Sequence, residues 1–375
     1  MKKRFSNLFA AIATLTGTII GAGILGLPYV FAQSGFLIGM INLIVLGILI
    51  LFVNLYLGEV ILRTKGKHQL PGYAEKYLGK KGKIAMLVSS LAFLYGALTA
   101  YVLGEGEVLS FVFTGSTSYI ILFGLAFLGI MSILIYSGLK TLEKGETFGL
   151  IAISLMIIII FFFFLPKVDW NNFSFISSNP IKWFMSYGVI LFAFLALSAL
   201  PEVREELVNE EKKLKKAILI GSLIPMVLYI LFIMAVYGFA GAETPEIATI
   251  ALGKLPSLLA IFTMFTAFSA IGIALKELFI FDFKIKHDKA FFYTIFPVFV
   301  LSLIILVFKL VDFIKILGLI GSISGGLAGM LVLLMVYKAK KKCDRKPEYS
   351  IPLSWPLILL LGLIFLAGIV YQFVF

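Results

Sequence analysis

Long apolar stretches alternate with short polar, lysine-rich segments along the whole 375-residue chain. A helix needs about 20 mostly apolar residues to cross the hydrocarbon core of a bilayer. Eleven stretches meet that requirement, at 8–33, 36–62, 84–112, 118–139, 147–166, 181–201, 216–240, 255–281, 290–309, 312–337 and 351–374. The pattern therefore predicts an all-α membrane protein with eleven transmembrane helices, forming a single domain over 1–375.

The composition agrees with a lipid environment. Hydrophobic residues make up 61% of the chain and charged residues only 14%, whereas soluble domains are about half apolar and one quarter charged. The net charge of +12 lies in short loops rather than in a basic domain. We therefore expect the lipid bilayer as a partner and no nucleic acid.

The distribution of Lys and Arg predicts the orientation. Alternate loops, beginning with the N-terminus, hold 26 basic residues, the other loops hold 5, and Lys276 lies inside a helix. Cytoplasmic loops of membrane proteins are enriched in Lys and Arg. The sequence thus predicts a multi-pass protein of the cell membrane with a cytoplasmic N-terminus and an external C-terminus.

Motifs of enzymes are absent from the sequence. One cysteine (Cys343) and two histidines (His68 and His287) provide no recognisable zinc site. Neither a phosphate-binding Gly-Lys-Ser/Thr loop nor a Gly-x-Ser-x-Gly turn occurs. We expect no enzyme activity, and no cofactor or metal beyond a sodium ion or a proton.

The first predicted helix contains four glycines and Pro28 within residues 16–28. Glycine costs a helix about 1 kcal/mol and proline about 3 kcal/mol. Backbone unwinds at membrane depth only where protein or a water-filled cavity receives its polar groups. The stretch favours an unwound site, although close packing of helices on Gly21, Gly23 and Gly26 is the alternative explanation.

The sixth predicted helix carries a weaker signal of the same kind over 192–202, which runs into Leu200-Pro201 after small residues. Helices 1 and 6 begin consecutive groups of five helices, so the second group is inverted relative to the first. Paired interrupted helices in inverted halves are typical of a transporter's substrate site. Their freed N–H groups suit a carboxylate, and their freed carbonyls suit an ammonium group or sodium.

The stretch 17–28, Gly-Thr-Ile-Ile-Gly-Ala-Gly-Ile-Leu-Gly-Leu-Pro, resembles the helix 1 signature of amino-acid permeases of the amino acid–polyamine–organocation superfamily. It is most similar to the branch of the aromatic amino acid permeases and the amino acid/auxin permeases. Residues 100–107, 201–206 with 216–218, and 272–275 are loosely similar to other segments of that branch. The resemblance covers roughly 8–340.

This resemblance implies the leucine-transporter-type fold with a 5+5 inverted repeat, with repeats at about 8–166 and 181–338 and an extra helix at 351–374. It also implies two sets of site residues. The substrate-binding set is Gly21, Ala22, Gly23, Ile24, Tyr101, Phe192, Ala193, Phe194 and Ser198. The hydroxyl candidates for cation binding are Thr18, Thr266 and Ser269. The helix 5 lysine of some proton-coupled members is absent at Ile153 or Ser154, so the coupling ion stays open between sodium and a proton.

Ionisable residues inside a predicted span are functional candidates because they are costly there. Glu105 and Glu107 in helix 3 are candidates for binding a proton or a cation, or else lie in an outer vestibule. Glu59 and Lys276 would neutralise each other if they paired.

The sequence thus predicts a secondary active transporter of amino acids, neutral or aromatic, working by alternating access in cation-coupled symport. The alternative is a membrane receptor subunit of the same fold that senses an amino acid without transporting it. Phe192, Phe194 and Tyr101 fit an aromatic or a branched apolar substrate alike. The sequence leaves the oligomeric state open.

Overall fold

The computed structural model describes residues 7–137, 141–174, 176–281 and 283–374. Lys2, Lys3, Arg4 and Lys140 lie outside the described residues, as do positions 138–139 of the fourth predicted span. Within the described part, fifteen α-helices form: α1 (Asn7–Ile19), α2 (Gly23–Ser34), α3 (Phe36–Arg63), α4 (Leu70–Thr114), α5 (Ile120–Ser137), α6 (Thr141–Phe164), α7 (Pro180–Trp183), α8 (Met185–Phe194), α9 (Leu200–Glu206), α10 (Leu214–Ala240), α11 (Ser257–Phe281), α12 (His287–Phe308), α13 (Phe313–Leu319), α14 (Gly326–Lys341) and α15 (Trp355–Val374).

The helices supply the eleven predicted spans. Ten segments are long and apolar enough to cross a membrane, and α1 with α2, bent by 50°, forms another. Span 1 is α1 with α2, span 6 is α8 with α9, span 10 is α13 with α14, and each remaining span is one long helix. The all-helical fold expected from the sequence is confirmed, since the described residues form no β-strand.

Helices dominate because backbone N–H and C=O groups in lipid must be satisfied within the protein. Large apolar side chains such as Leu122, Phe162 and Leu359 are exposed on the outside of the bundle. That arrangement suits a surface bathed by lipid rather than water.

Burial separates central spans from peripheral ones. Spans 6 and 10 are 78% and 72% buried over their most apolar windows, whereas spans 9 and 11 are 17% and 22% buried. Span 10 contains a π-helix over Ile320–Gly325, which joins α13 to α14. The π-helix packs against α8, so the two most buried spans lie side by side.

Two features of the helices, one bound and one proline, differ from the sequence-based prediction. The third span was predicted at 84–112, but α4 begins at Leu70 and is interrupted at Gly79, where φ is +76° and ψ is −170°. Residues 70–78 form a short helix with Tyr73 and Tyr77 buried and Lys76 exposed. Pro28, expected to help break span 1, lies inside α2, and the helix continues past it to Ser34.

The basic face is the side of the bundle that carries the loops 64–69, 207–213 and 342–354. On this face Glu59 of α3 is fully buried and accepts hydrogen bonds from Arg63 (2.7 Å), Lys340 (2.7 Å) and the Ile351 backbone (2.9 Å). The suggested Glu59–Lys276 pair is therefore wrong. Lys276 instead donates to the carbonyl of Ile135 in α5, because α11 packs beside α5.

Candidate functional site

The break in span 1 is a three-residue gap between α1 and α2. The Ile20 N–H still makes a helical bond to the Thr16 carbonyl at 2.9 Å, whereas the Gly21 N–H bonds to the Ile19 carbonyl at 2.9 Å and leaves the helical pattern. The first N–H groups of α2 have no helical partner by position. Their partial positive charge makes the start of α2 suited to an anion.

The break in span 6 lies between α8 and α9. Leu195 and Ala196 are non-helical, with Ala196 at φ −139° and ψ 29°, and a 3₁₀ turn over Leu197–Ala199 leads into α9. Pro201 lies in the first turn of α9, where its missing N–H costs no hydrogen bond. The carbonyls at the end of α8 are left without helical partners.

The two breaks meet directly. A Cβ added to Gly23 would lie 2.6 Å from Cα and 2.7 Å from Cβ of Ala193. Only a glycine lets the start of α2 approach α8 this closely. The structure therefore brings together Gly21, Ala22 and Gly23 of span 1 with Ala193 of span 6.

Three further helices border this junction. A Cβ added to Gly21 would lie 3.4 Å from the Tyr101 hydroxyl of α4 and 3.7 Å from Cβ of Ala267 in α11. The Tyr101 hydroxyl also lies against the backbone of Ala22. From α10, the Tyr229 hydroxyl donates toward the carbonyls of Ile19 (2.7 Å) and Ala193 (2.8 Å).

Aromatic side chains of α8 point to two sides. The Phe192 ring packs on Phe93 of α4 at a centroid distance of 5.5 Å, and the Phe194 ring packs edge-on against Tyr229 at 5.2 Å. Phe194 also faces Gly47 of α3. Phe192 thus faces α4, the helix that also carries Tyr101, while Phe194 packs against α10 and α3.

The junction is covered from one side and approachable from the other. Every residue of α2 is buried except the half-buried Tyr29 and Gln33. In contrast, Gly17, Thr18 and Ser198 are exposed, and a Cβ added to Gly17 would meet nothing within 4 Å. Exposed polar residues at the middle of a span indicate water rather than lipid, so the breaks open toward the basic face.

The predicted cation-binding hydroxyls are spread out. Thr18 donates to the Thr14 carbonyl (2.8 Å), Thr266 to that of Phe262 (2.9 Å) and Ser269 to that of Phe265 (2.9 Å), so each bonds to its own helix. Thr266 faces Gly149 of α6. Thr18 and Ser269 share no hydrogen bond within the described part of the chain, although both oxygens retain lone pairs for a cation.

The two acidic candidates of span 3 differ in their surroundings. Glu105 is fully buried, and neither carboxyl oxygen has a hydrogen-bond partner among the described residues. It lies one helical turn beyond Tyr101. Glu107 instead lies within electrostatic range of Glu246 and Asp312, on the side opposite the basic face.

An unpartnered carboxylate ion inside a membrane protein is strongly disfavoured, because neither water nor an opposite charge compensates its lost hydration. A proton on Glu105 would remove that cost.

Two buried polar residues gave no sequence signal. Asn54 of α3 is fully buried, with both amide atoms unpaired within the described residues. Tyr229 is one of 15 tyrosines in the chain. Neither lies in a recognisable motif, and only the tertiary structure places Tyr229 at the helix breaks.

Comparison with known proteins identifies the fold and the family. The structure matches the crystal structure of MhsT in complex with L-phenylalanine with a TM-score of 0.68, covering 100% of this chain and 98% of that one at 15% identity. The chain therefore has the leucine-transporter-type fold of that protein.

Curated relatives are transport proteins. The chain is 24% identical over 228 residues to glutamine transporter 2 of Aliivibrio fischeri, covering 60% of this chain and 59% of the relative. It is 26% and 28% identical to tyrosine-specific transport systems 1 and 2 of Haemophilus influenzae, covering 58% and 60% of this chain. The aligned stretch spans 54–59% of the length of these three relatives.

These relatives point to a transporter rather than an enzyme. The model of the tryptophan/tyrosine permease family matches residues 4–374. A match over nearly the whole length, together with the broken spans and the fold, shows that the chain belongs to the tryptophan/tyrosine permease family.

Proposed function

We propose that this protein is a secondary active transporter that carries a neutral or aromatic amino acid across the cell membrane by alternating access. The observation that carries the proposal is the meeting of two broken spans at Gly23 and Ala193, beside an opening toward the basic face. Broken half-helices provide oriented backbone groups without burying a full charge. The proposal assumes two inverted repeats, at about 8–166 and 181–338.

The substrate's charged ends match the backbone groups at the breaks. The first N–H groups of α2, at Ala22, Gly23 and Ile24, suit the carboxylate. Carbonyls at the end of α8 suit the ammonium group. Phe192 and Phe93 place aromatic surface beside the junction, and such surface favours an aromatic or apolar side chain.

The names of the relatives supply the first substrates to test. The Haemophilus influenzae proteins are named for tyrosine and the Aliivibrio fischeri protein for glutamine. Labelled L-tyrosine, L-tryptophan, L-phenylalanine and L-glutamine would be offered to proteoliposomes preloaded with the same unlabelled amino acid. We expect counterflow of at least one of them.

A panel of all twenty amino acids provides the test that could overturn the proposal. Absence of counterflow and uptake for all twenty amino acids, under both proton and sodium gradients, would overturn the transporter proposal. Saturable binding without any transport in the same liposomes would instead support the sensing receptor subunit.

We propose a proton as the coupling ion, with Glu105 as the residue that carries it. Glu105 is a buried carboxyl without a hydrogen-bond partner among the described residues, and it lies one turn from Tyr101, whose hydroxyl lies against the break in span 1. The hydroxyls of Thr18, Thr266 and Ser269 are the competing sodium ligands. Glu105→Gln keeps the size and polarity of the side chain but cannot release a proton.

The Glu105→Gln variant should retain counterflow but lose accumulation driven by a pH gradient. The matched control is Glu107→Gln, which lies two residues away on a different face of α4 and should keep gradient-driven uptake. Full accumulation of the amino acid by Glu105→Gln would exclude Glu105 as the residue that carries the coupling proton. Uptake by the wild type that stops when choline replaces sodium would favour the hydroxyls.

The proposed orientation places the basic face in the cytoplasm, because 26 basic residues lie in loops of that set. Cys343 is the one cysteine of the chain and is exposed in the loop after α14. A membrane-impermeant maleimide should label Cys343 in inverted vesicles but not in intact cells. Labelling of intact cells would reverse the orientation.

A further inference from the structure

Tyr229 joins the two broken spans through a single hydroxyl. Its side chain is fully buried on α10, and its oxygen lies 2.7 Å from the carbonyl of Ile19 and 2.8 Å from that of Ala193. Ile19 is the last residue of α1, and Ala193 is the penultimate residue of α8. The hydroxyl thus lies where the C-terminal ends of two half-helices converge.

Such a position is electrostatically negative. Each helix C-terminus carries a partial negative charge and carbonyls without helical partners. In transporters built from broken helices, half-helix C-termini and unwound carbonyls coordinate the coupling cation. General physics therefore predicts a cation at this point, and this chain places an uncharged hydroxyl there instead.

The hydroxyl is held firmly in place. The Phe194 ring packs against the Tyr229 ring at 5.2 Å with an interplanar angle of 62°. The hydroxyl has one hydrogen, so it donates to one of the two carbonyls at a time. No rotation of the buried ring is needed for it to serve either carbonyl.

We propose that Tyr229 is a built-in substitute for a bound cation. Its hydroxyl fills the position between the carbonyls of Ile19 and Ala193 and sets the spacing of the two breaks. Amino acid binding at the breaks then needs no metal ion between these carbonyls, and the coupling ion binds elsewhere. Tyr229 is in this sense a positioning residue for the site described above, and its relation to substrate binding rests on the proposed function.

The test removes the Tyr229 hydroxyl and measures whether a small cation binds between the two carbonyls in its place. Tyr229→Phe removes only the oxygen and leaves the ring. Tyr237→Phe is the matched control, since Tyr237 is a buried tyrosine of the same helix whose hydroxyl donates to the backbone carbonyl of Asn172 at 2.9 Å, away from the breaks. The full-length proteins in lipid nanodiscs would be melted in choline, sodium and lithium chloride without any amino acid.

In choline, we expect each variant to melt about 2 °C or more below the wild type, because each loses one hydrogen bond. Sodium or lithium should restore most of the lost melting temperature in Tyr229→Phe and none of it in Tyr237→Phe. Equal salt effects in the wild type and in both variants would overturn the proposal, since the hydroxyl would then be an ordinary structural hydrogen bond.

A measurement on the wild type decides the question if Tyr229→Phe fails to fold. The rise in melting temperature caused by the most stabilising of the twenty amino acids would be compared in sodium and choline. An unchanged rise supports the proposal. A rise that requires sodium overturns it if the requirement persists in the triple variant Thr18→Ala, Thr266→Ala, Ser269→Ala, which lacks the competing hydroxyls; loss of the requirement in that variant supports a coupling ion bound elsewhere, as proposed. The salt experiment uses no amino acid, so its result can be interpreted even if the protein proves not to be a transporter.

Discussion

The breaks in spans 1 and 6 both leave backbone groups without helical partners, but they arise in different ways. In span 1 the gap at Ile20–Ala22 lies within a glycine-rich stretch whose own helix propensity is poor. In span 6 the gap at Leu195–Ala196 has no glycine, and no residue in it adopts a positive φ. One break is therefore marked by local sequence, and the other depends on what surrounds it.

The surroundings of span 6 are unusually close. A Cβ on Gly188 would run into the carbonyl oxygen of Gly318 and the Ser322 hydroxyl, and a Cβ on Gly321 would run into the Gly188 carbonyl. The backbone of span 6 thus packs directly against the backbone of span 10. Residues that resist helix formation thus mark the interruption in span 1, whereas close packing on a neighbouring span accompanies the interruption in span 6.

The largest expected effect comes from separating span 6 from span 10. Gly188→Ala should push α8 away from span 10, because the nearest atom is the backbone carbonyl oxygen of Gly318, which cannot rotate aside. We expect little folded protein in size-exclusion chromatography of the detergent-solubilised variant. Gly129→Ala in α5 is the control, since its Cβ meets nothing within 4 Å; equal yields of the two variants would contradict this role of the contact.

A smaller effect is expected from Gly23→Ala, where the new Cβ would lie 2.6 Å from Cα of Ala193. Overpacking of this kind costs about 1–3 kcal/mol. The protein should fold with a lower melting temperature, and counterflow should be lost because the two breaks are forced apart. The matched control, Gly17→Ala, has open space around its Cβ and should keep its melting temperature; counterflow by Gly23→Ala at the wild-type rate would refute the close junction.

Ala196→Gly tests whether the span 6 break needs its own flexible residue. Ala196 already adopts a non-helical conformation with negative φ, so glycine adds freedom to the unfolded chain without relieving strain. We expect a loss of stability of about 0.4–1 kcal/mol with transport retained, measured by thermal unfolding and counterflow. A rise in stability would mean that the break is locally strained after all.

The smallest expected effect concerns Glu246, which accepts a hydrogen bond from the Ile314 backbone (3.2 Å) at the start of α13 and so steadies span 10. Burial, reinforced by the nearby Asp312, raises the pKa of Glu246 above its ordinary value. The folded protein then holds this proton more tightly than the unfolded chain. The resulting stability is present below the ordinary glutamate pKa and is lost as the pH rises through the raised pKa.

Melting temperatures measured across that pH range would check the Glu246 prediction. Glu246→Gln cannot ionise, so its melting temperature should fall less with rising pH than that of the wild type. Parallel curves for the two proteins would show that another group causes the dependence.

The sequence by itself determined the lipid environment of the chain, the number of transmembrane spans and the place of the break in span 1. Eleven apolar stretches are long enough to cross a bilayer, and lipid leaves helices as the way to satisfy their backbones. The glycines around Gly21 and Gly23 marked the gap in span 1, because their helix propensity is a local property. The helix 1 motif also indicated the permease family that the whole-length match confirms.

Only the tertiary structure decided the rest. The contact of Gly23 with Ala193, the support of Gly188 by Gly318 and the place of Tyr229 all join residues distant in the chain. The same holds for Glu59, whose partner is Lys340 rather than Lys276. Charge and hydropathy report what one residue prefers, but which groups meet depends on how the helices pack, and that information is spread over every contact in the bundle.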